Sequence, residues 1–366
     1  MLVSGKLFCA VVVQEMHFDT VMKILFVTKD LGAAKAAIPV AELAREAGHM
    51  VSVMVEGKSI GGWQDAGFRP DIAFEGQEFP DGSVLPRENF LELLKPDVVV
   101  ATQSSPCYLE DMVARCANNA GVPVAFIEDF WAGHRRSTAK PDLVLTLDGA
   151  GVDLARASYE DGCKIVIAGN PSVKKVVPSA ETFDDVKSMR QSLYDRGFLF
   201  VGASPEPTTA ELELLIECLK KTTDGWCLIP AFHPKHAKAE KDGVSYQKIW
   251  LDMLSVFGDR IVFVPSAKNA DELAVLCDAT FAAHSLCLIS AVAGGKQAAS
   301  LWTPASEASL SRQVGLLTFP LVSMGLPQIR EATSLHALPR VPEGLCTQLR
   351  PFDPNVALEA IRNLVK

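Results

Sequence analysis

A chain of 366 residues, 48% of them hydrophobic and 22% charged, exceeds what one hydrophobic core usually supports and leaves little room for long disordered tracts. Its formal charge of -9 excludes a dominant basic surface for nucleic acid, leaving local basic pockets and at most peripheral membrane contact. Nine cysteines without a CxxC pair exclude a disulfide-stapled scaffold and read as reduced thiols of a cytoplasmic protein.

No apolar run reaches the roughly 18 to 20 residues of a membrane span. Residues 1–21 read as an upstream extension, because the apolar stretch Leu7 to Val13 runs into Gln14, Glu15 and His17 without a small-residue cleavage site. Lys23 to Thr28 is the first predicted strand, followed by a loop around Gly32 and an alanine-rich helix from Ala33 to Ala47 that stops at Gly48. Strands are then predicted at Val51 to Glu56, Asp71 to Phe74, Asp97 to Thr102, Val122 to Ile127, Leu143 to Leu147 and Lys164 to Ala168. Helices are predicted at Glu88 to Leu94 and Cys107 to Asn119. Apolar strands alternating with helices are the signature of a parallel sheet covered on both faces.

Gly169-Asn170-Pro171 breaks the pattern, and the charged stretch Thr182 to Arg196 reads as a linker helix. The plan then repeats: strands at Phe198 to Val201, Trp226 to Ile229, Arg260 to Val264, Ala279 to Ala282 and Gln297 to Leu301. Helices are predicted at Thr208 to Thr222, Gln247 to Phe257, Asp271 to Cys277 and Leu286 to Ala293. Thr303 to Pro351 gives no clear element, and a helix from Pro354 closes the chain. The expected organisation is a first α/β domain over 22–170, a linker over 171–196, a second α/β domain over 197–350, and a closing helix over 351–366 that returns to the first.

Parallel sheets bind ligands at the carboxyl ends of their strands, so the loops there carry the chemistry. Gly32 relieves a strand-to-helix turn or lets a substrate approach the helix; the loop has no GxGxxG fingerprint, which argues against a dinucleotide. Glu128-Asp129 places two carboxylates after a strand; one facing the cleft would deprotonate an acceptor hydroxyl, and the alternative is a surface pair with Arg135 or Arg136. Adjacent residues of an extended segment point opposite ways, so one of the two is expected to face the cleft. His233, held by Pro234 and followed by Lys235 and His236, is a cationic spot suited to phosphate, or else a basic surface turn. His284 and Ser285 stand between a strand and an apolar helix, where a serine either caps the helix or holds a phosphate. Ser204 occupies the equivalent place after the first strand of that unit. Cys107 reads as a buried core thiol ahead of a reactive one.

Together MKILFVT from Met22, KPDVVV, VPVAFIED, IAGNP at Ile167 to Pro171, the FHP turn and DATFAAHSLCLISAVAGGK resemble the GT-B superfamily of nucleotide-sugar enzymes, over most of Met22 to Lys366. That resemblance implies two Rossmann-like doubly wound domains facing each other across a cleft, the second binding a nucleotide-sugar donor and the first an acceptor. It implies catalytic roles for Glu128, Asp129 and His233, nucleotide or phosphate contacts from Ser204, His233, Lys235, His284, Ser285 and Ser290, and an acceptor side including Gly32 and Ser104. No metal and no cofactor beyond the nucleotide-sugar co-substrate is implied. The leading expectation is a glycosyltransferase with a glycan, lipid or protein acceptor. The alternatives are an enzyme resembling UDP-GlcNAc 2-epimerases and a non-catalytic GT-B binding protein. Many relatives carry a ribose-binding glutamate where this chain has Ser290, and the epimerases carry an HGD-like loop where it has Gln103-Ser104-Ser105.

Overall fold

The computed structural model describes residues 21–74, 89–105, 107–159, 162–192, 194–202, 204–232 and 240–365. Seven strands form a wholly parallel first sheet: β1 (Lys23–Thr28), β2 (Met50–Glu56), β3 (Ile72–Phe74), β4 (Val98–Thr102), β5 (Val124–Ile127), β6 (Leu143–Thr146) and β7 (Lys164–Ile167). Their order is β3-β2-β1-β4-β5-β6-β7. Valines and alanines fill β4, and all five of its residues are buried, as a central strand covered on both faces requires. The helix Leu31–Glu46 turns Ala33, Ala34, Ala37, Ala41 and Ala44 inward; side chains this small let it lie close to the sheet.

The second sheet follows the same logic after the helix Ala180–Ser192. It contains β8 (Arg196–Gly202), β9 (Trp226–Phe232), β12 (Ala279–Ala282), β13 (Gln297–Leu301) and β14 (Gln328–Ile329), in the parallel order β14-β13-β12-β8-β9. Between β9 and β12, β10 (Glu240–Lys241) and β11 (Val244–Ser245) make a separate antiparallel ribbon. The strand expected at Arg260 to Val264 does not form. A 3-10 stretch Ser255–Arg260 with Gly258 at φ 52° swings the chain, and a single bridge from Leu228 to Ile261 remains. The segment left open in the sequence folds around the helix Pro304–Val314, fixed by a Thr303 and Ser306 capping box.

Both sheets reverse strand order once, between β1 and β4 and between β8 and β12, and that crevice at the carboxyl ends is where such sheets take ligands. The units are also tied covalently and by hydrogen bonds at a hinge. Asn170 N–H donates to Arg350 O at 2.8 Å and Asp353 N–H to Ala168 O at 2.7 Å. Beyond it the helix Pro354–Arg362 buries Ala357, Leu358, Ala360 and Ile361 in the core shared with β1 and the helix Leu31–Glu46. Among the described residues no helix is long and apolar enough to cross a membrane.

Candidate functional site

The loop after β5 is built by its own side chains. Ala132 adopts a left-handed φ of 55°, unusual for a residue with a Cβ, and opens a 3-10 turn Gly133–Arg136. Two anchors hold that strain. The Trp131 indole N–H donates to both Asp148 oxygens at 3.1 and 3.0 Å. His134 Nδ1 lies 2.7 Å from Glu128 Oε1, its backbone N–H donates to the same oxygen at 3.2 Å, and the Thr146 hydroxyl donates to Glu128 Oε2 at 2.7 Å. Glu128 and His134 are both sealed from solvent.

Of the adjacent carboxylates, the structure therefore turns Asp129, and not Glu128, toward the cleft, as the alternation of an extended segment demands. Glu128, expected as one of the catalytic candidates, is bound up in the loop's scaffold. Asp129 is 19% exposed and stands 3.9 Å from the Arg136 guanidinium. Gly32 lies beside this carboxylate: a Cβ placed on it would stand 3.6 Å from Asp129 Oδ2, an ordinary van der Waals contact. Burial pushes Asp129 up from the ordinary carboxylate range, Arg136 pulls it back, and the neighbouring Asp30 adds to the rise.

Around Asp129 stand the loops after β1 and β4. Asp30 N–H donates to the Ser104 hydroxyl at 3.0 Å, and Asp30 Oδ2 accepts from Ser105 N–H at 3.1 Å, which locks the two loops together. Ser104 also bonds the buried Glu110, whose carboxyl burial pushes up to about 7. Gly32 and Ser104, the two residues expected on an acceptor side, thus lie together near Asp129. Cys107 is buried with its Sγ 3.6 Å from Gln103 Oε1, and burial pushes its thiol far above the usual range, so it is not a nucleophile.

His284, after β12, faces this cluster from the second unit. Its ring lies 6.5 Å from that of Phe130, and it is 7% exposed. Burial and then the Arg136 charge hold its imidazole down at about 4, so it is neutral and acts as a hydrogen-bonding group, not as a cation for phosphate. Asp129 Oδ1, Arg136 Nε, Gln103 Nε2 and His284 Nδ1 are all buried without a hydrogen-bond partner. Buried polar atoms in a folded protein are ordinarily satisfied, so a cluster of four lacking partners across the cleft marks where a polar ligand belongs. Sequence reasoning offered Arg136 only as a surface partner of the acidic pair and did not single out Gln103 as a site residue; the structure sets the Arg136 guanidinium beside Asp129.

Ser285 accepts from Cys287 N–H at 3.3 Å, and Ser204 precedes the helix Pro205–Lys220 with its hydroxyl making no cap bond. They follow β12 and β8, adjacent strands, so both loops share one rim. Ser290 points elsewhere: it is 2% exposed and donates to Asp271 Oδ1 at 2.8 Å, inside the packing between helices Ala270–Leu276 and Cys287–Ala293. His233 and Lys235 lie outside the described residues, directly after β9, the other neighbour of β8.

No family model and no curated protein matches the sequence. Solved structures do match in fold. The S. aureus MnaA–UDP structure superposes with a TM-score of 0.63 at 13% identity, over 94% of this chain and 96% of that one. UDP-GlcNAc 2-epimerase from Neisseria meningitidis bound to UDP-GlcNAc gives 0.62 at 13%, over 94% and 100%. Anabaena HepE in complex with UDP and glucose gives 0.57 at 15%, over 94% and 99%. The chain has the two-domain, Rossmann-like GT-B-type fold of these proteins.

Proposed function

We propose that the chain is an enzyme acting on a nucleotide-activated sugar, and that it rearranges the sugar within that substrate, as an epimerase-like enzyme does, ahead of passing it to an acceptor. The cluster of Asp129, Arg136 and His284 supports the reading most directly. Inverting a sugar carbon requires a base that takes its proton from one face, delivery of a proton to the opposite face, and a group that neutralises the charge that develops between the two. Asp129, raised by burial, suits the first task, and Arg136 suits the last. Neutral His284 would hold a sugar or phosphate oxygen by hydrogen bonding. The backbone around Ser204 and Ser285, with His233 and Lys235 from the sequence that follows β9, would take the phosphates in the second domain, residues 197–350. The likeness to epimerase structures carrying UDP or UDP-GlcNAc favours this reading over the glycosyltransferase.

The test is incubation with UDP-GlcNAc in deuterium oxide, followed by proton NMR. Deuterium at carbon 2 with appearance of the 2-epimer or of free UDP is expected. UDP-GlcNAc left intact for as long as no acceptor is supplied would favour transfer, the second reading, which the likeness to HepE with UDP and glucose keeps in view.

A further inference from the structure

We infer that Gln103 determines specificity by donating, through its side-chain amide, to an oxygen of the substrate's sugar, and that the Cys107 thiol aims that amide; the inference rests on the nucleotide-sugar reading of the cleft. Gln103 directly follows β4 and is sealed from solvent. Three contacts fix it. Its backbone carbonyl accepts from Arg136 Nη1, the same nitrogen that stands 3.9 Å from Asp129 Oδ1. Its Oε1 accepts from the Cys107 thiol, with Sγ at 3.6 Å. Its Cβ lies against the turn after β5, where a Cβ on Gly133 would come within 3.3 Å of it, so the glycine permits the approach. With the oxygen held by the thiol, the amide nitrogen is left over, and it is this atom that is buried without a partner.

The chemistry of the unpartnered atoms narrows what meets them. Gln103 Nε2 and Arg136 Nε can only donate, and Asp129 Oδ1, when ionised, can only accept. An ionised phosphate offers acceptors alone and would meet the carboxylate as a like charge, whereas a hydroxyl both donates and accepts, so a ring carrying several hydroxyls satisfies all three. The sugar end of the substrate, and not its phosphate end, therefore belongs here. The thiol suits its task because burial, and then Glu110 and Asp111, push it far above its usual range, so it keeps an S–H to give at every physiological pH. Leaving a buried donor without a partner costs stability, and its retention here fits a ligand that supplies the acceptor.

The experiment compares the full-length wild type with Gln103→Met, Cys107→Ser and Cys107→Ala. Calorimetry follows UDP alone and the UDP-GlcNAc analogue in which a methylene replaces the anomeric oxygen, so that the sugar stays attached. Thermal melts follow stability, and the infrared S–H stretch of Cys107, isolated by subtracting the spectrum of the matching Cys107→Ala protein, reports the thiol's hydrogen bond. Methionine has nearly the shape of glutamine and no donor, so Gln103→Met should melt at or above the wild-type temperature, bind UDP within about twofold, and bind the analogue about tenfold or more weakly. Cys107→Ala should weaken the analogue by about threefold, and Cys107→Ser, which keeps a donor, should restore it. The S–H band should lie at lower frequency in wild type than in Gln103→Met, where the amide oxygen is gone. Wild-type affinity for the analogue in Gln103→Met would overturn the inference, and so would equal losses for the analogue and UDP, which a merely structural role explains. Cys107→Ser binding as weakly as Cys107→Ala, or a band that does not move, would remove the thiol from the account. If the wild type binds neither ligand, the nucleotide-sugar reading falls and takes the sugar contact with it, while the S–H band still decides whether Cys107 holds the amide.

Discussion

Phe130 of the first unit and Phe319 of the second stack with ring centroids 6.1 Å apart and planes 12° from parallel. Trp131 meets the edge of the same Phe319 ring at 5.6 Å, so one apolar junction joins the units beside the polar cluster. Phe319 is fully buried there. Replacing it with alanine should cost about 3 kcal/mol, the ordinary loss for a buried phenylalanine, and separate the domains. Urea unfolding would read the first effect and small-angle scattering the second; an unshifted midpoint would remove the junction from the account of how the cleft is held.

Glu128 and Asp129, neighbours in sequence, should respond in opposite ways to substitution. Glu128→Ala leaves the buried His134 ring and the Thr146 hydroxyl without their acceptor and should destabilise the chain by about 1 to 3 kcal/mol, the cost of a buried polar group left unpaired. Asp129→Asn touches no such scaffold and should leave the unfolding midpoint near wild type while lowering turnover by about 100-fold or more. Thermal melts and rates measured on both variants check the contrast. An active Asp129→Asn would end its role as the proton-transferring group.

Most of this architecture could be read from the residues, and the failures have physical causes. Strands such as Val98–Thr102 and Val124–Ile127 announce themselves because burial on both faces demands a nearly continuous apolar run. Arg260 to Val264 has the same run, yet Gly258 at a positive φ turns the backbone before a ladder can form, a conformational fact that composition does not carry. In the site, Asp129 and His284 stand at strand ends and were legible there. Arg136 was legible only as a surface partner of the acidic pair, since its half-buried place beside Asp129 depends on Ala132 adopting a left-handed conformation that the sequence gives no reason to expect. The surroundings of Ser290 could not be read either, because helical position says nothing about which neighbour its face packs against, here Asp271.

Glu211 and His284 should shape the pH dependence of stability in opposite directions. Burial in the folded state holds Glu211 near 8 against an ordinary 4.5, so its contribution is complete below about 4.5 and is lost as pH rises to about 8. His284 sits near 4 against 6.5; its contribution is complete above about 6.5 and is lost as pH falls to about 4. Each slope is on the order of 1.4 kcal/mol per pH unit at most. Glu211→Gln should therefore flatten the decline of stability between pH 6.5 and 8, where His284 no longer changes, and denaturant unfolding across that range would show it. A decline as steep as that of wild type would mean that other buried acids, Glu110 first among them, dominate this limb.

The hinge offers the sharpest test of how the two units are joined. Gly169 has a φ of 94°, in the region that side chains avoid, and a Cβ built there would sit 2.1 Å from the Pro351 carbonyl oxygen and 2.9 Å from Phe352 Cα. Both obstacles are backbone, so neither can rotate aside, and the clash falls between the two hinge hydrogen bonds, Asn170 to Arg350 and Asp353 to Ala168. Gly169→Ala must then either strain its own backbone, at about 1 to 3 kcal/mol, or push the returning segment away. Displacing that segment would lift the helix Pro354–Arg362 from the core it shares with β1, exposing Ala357 and Ile361. Limited proteolysis should accordingly clip the last residues of Gly169→Ala faster than those of wild type. Gly162→Ala is the control: it also has a positive φ, 114°, but nothing stands near its added methyl, so it should lose some stability and keep the terminal helix protected. Equal protection in both variants would show that the contact with Pro351 is not what holds the closing helix in place.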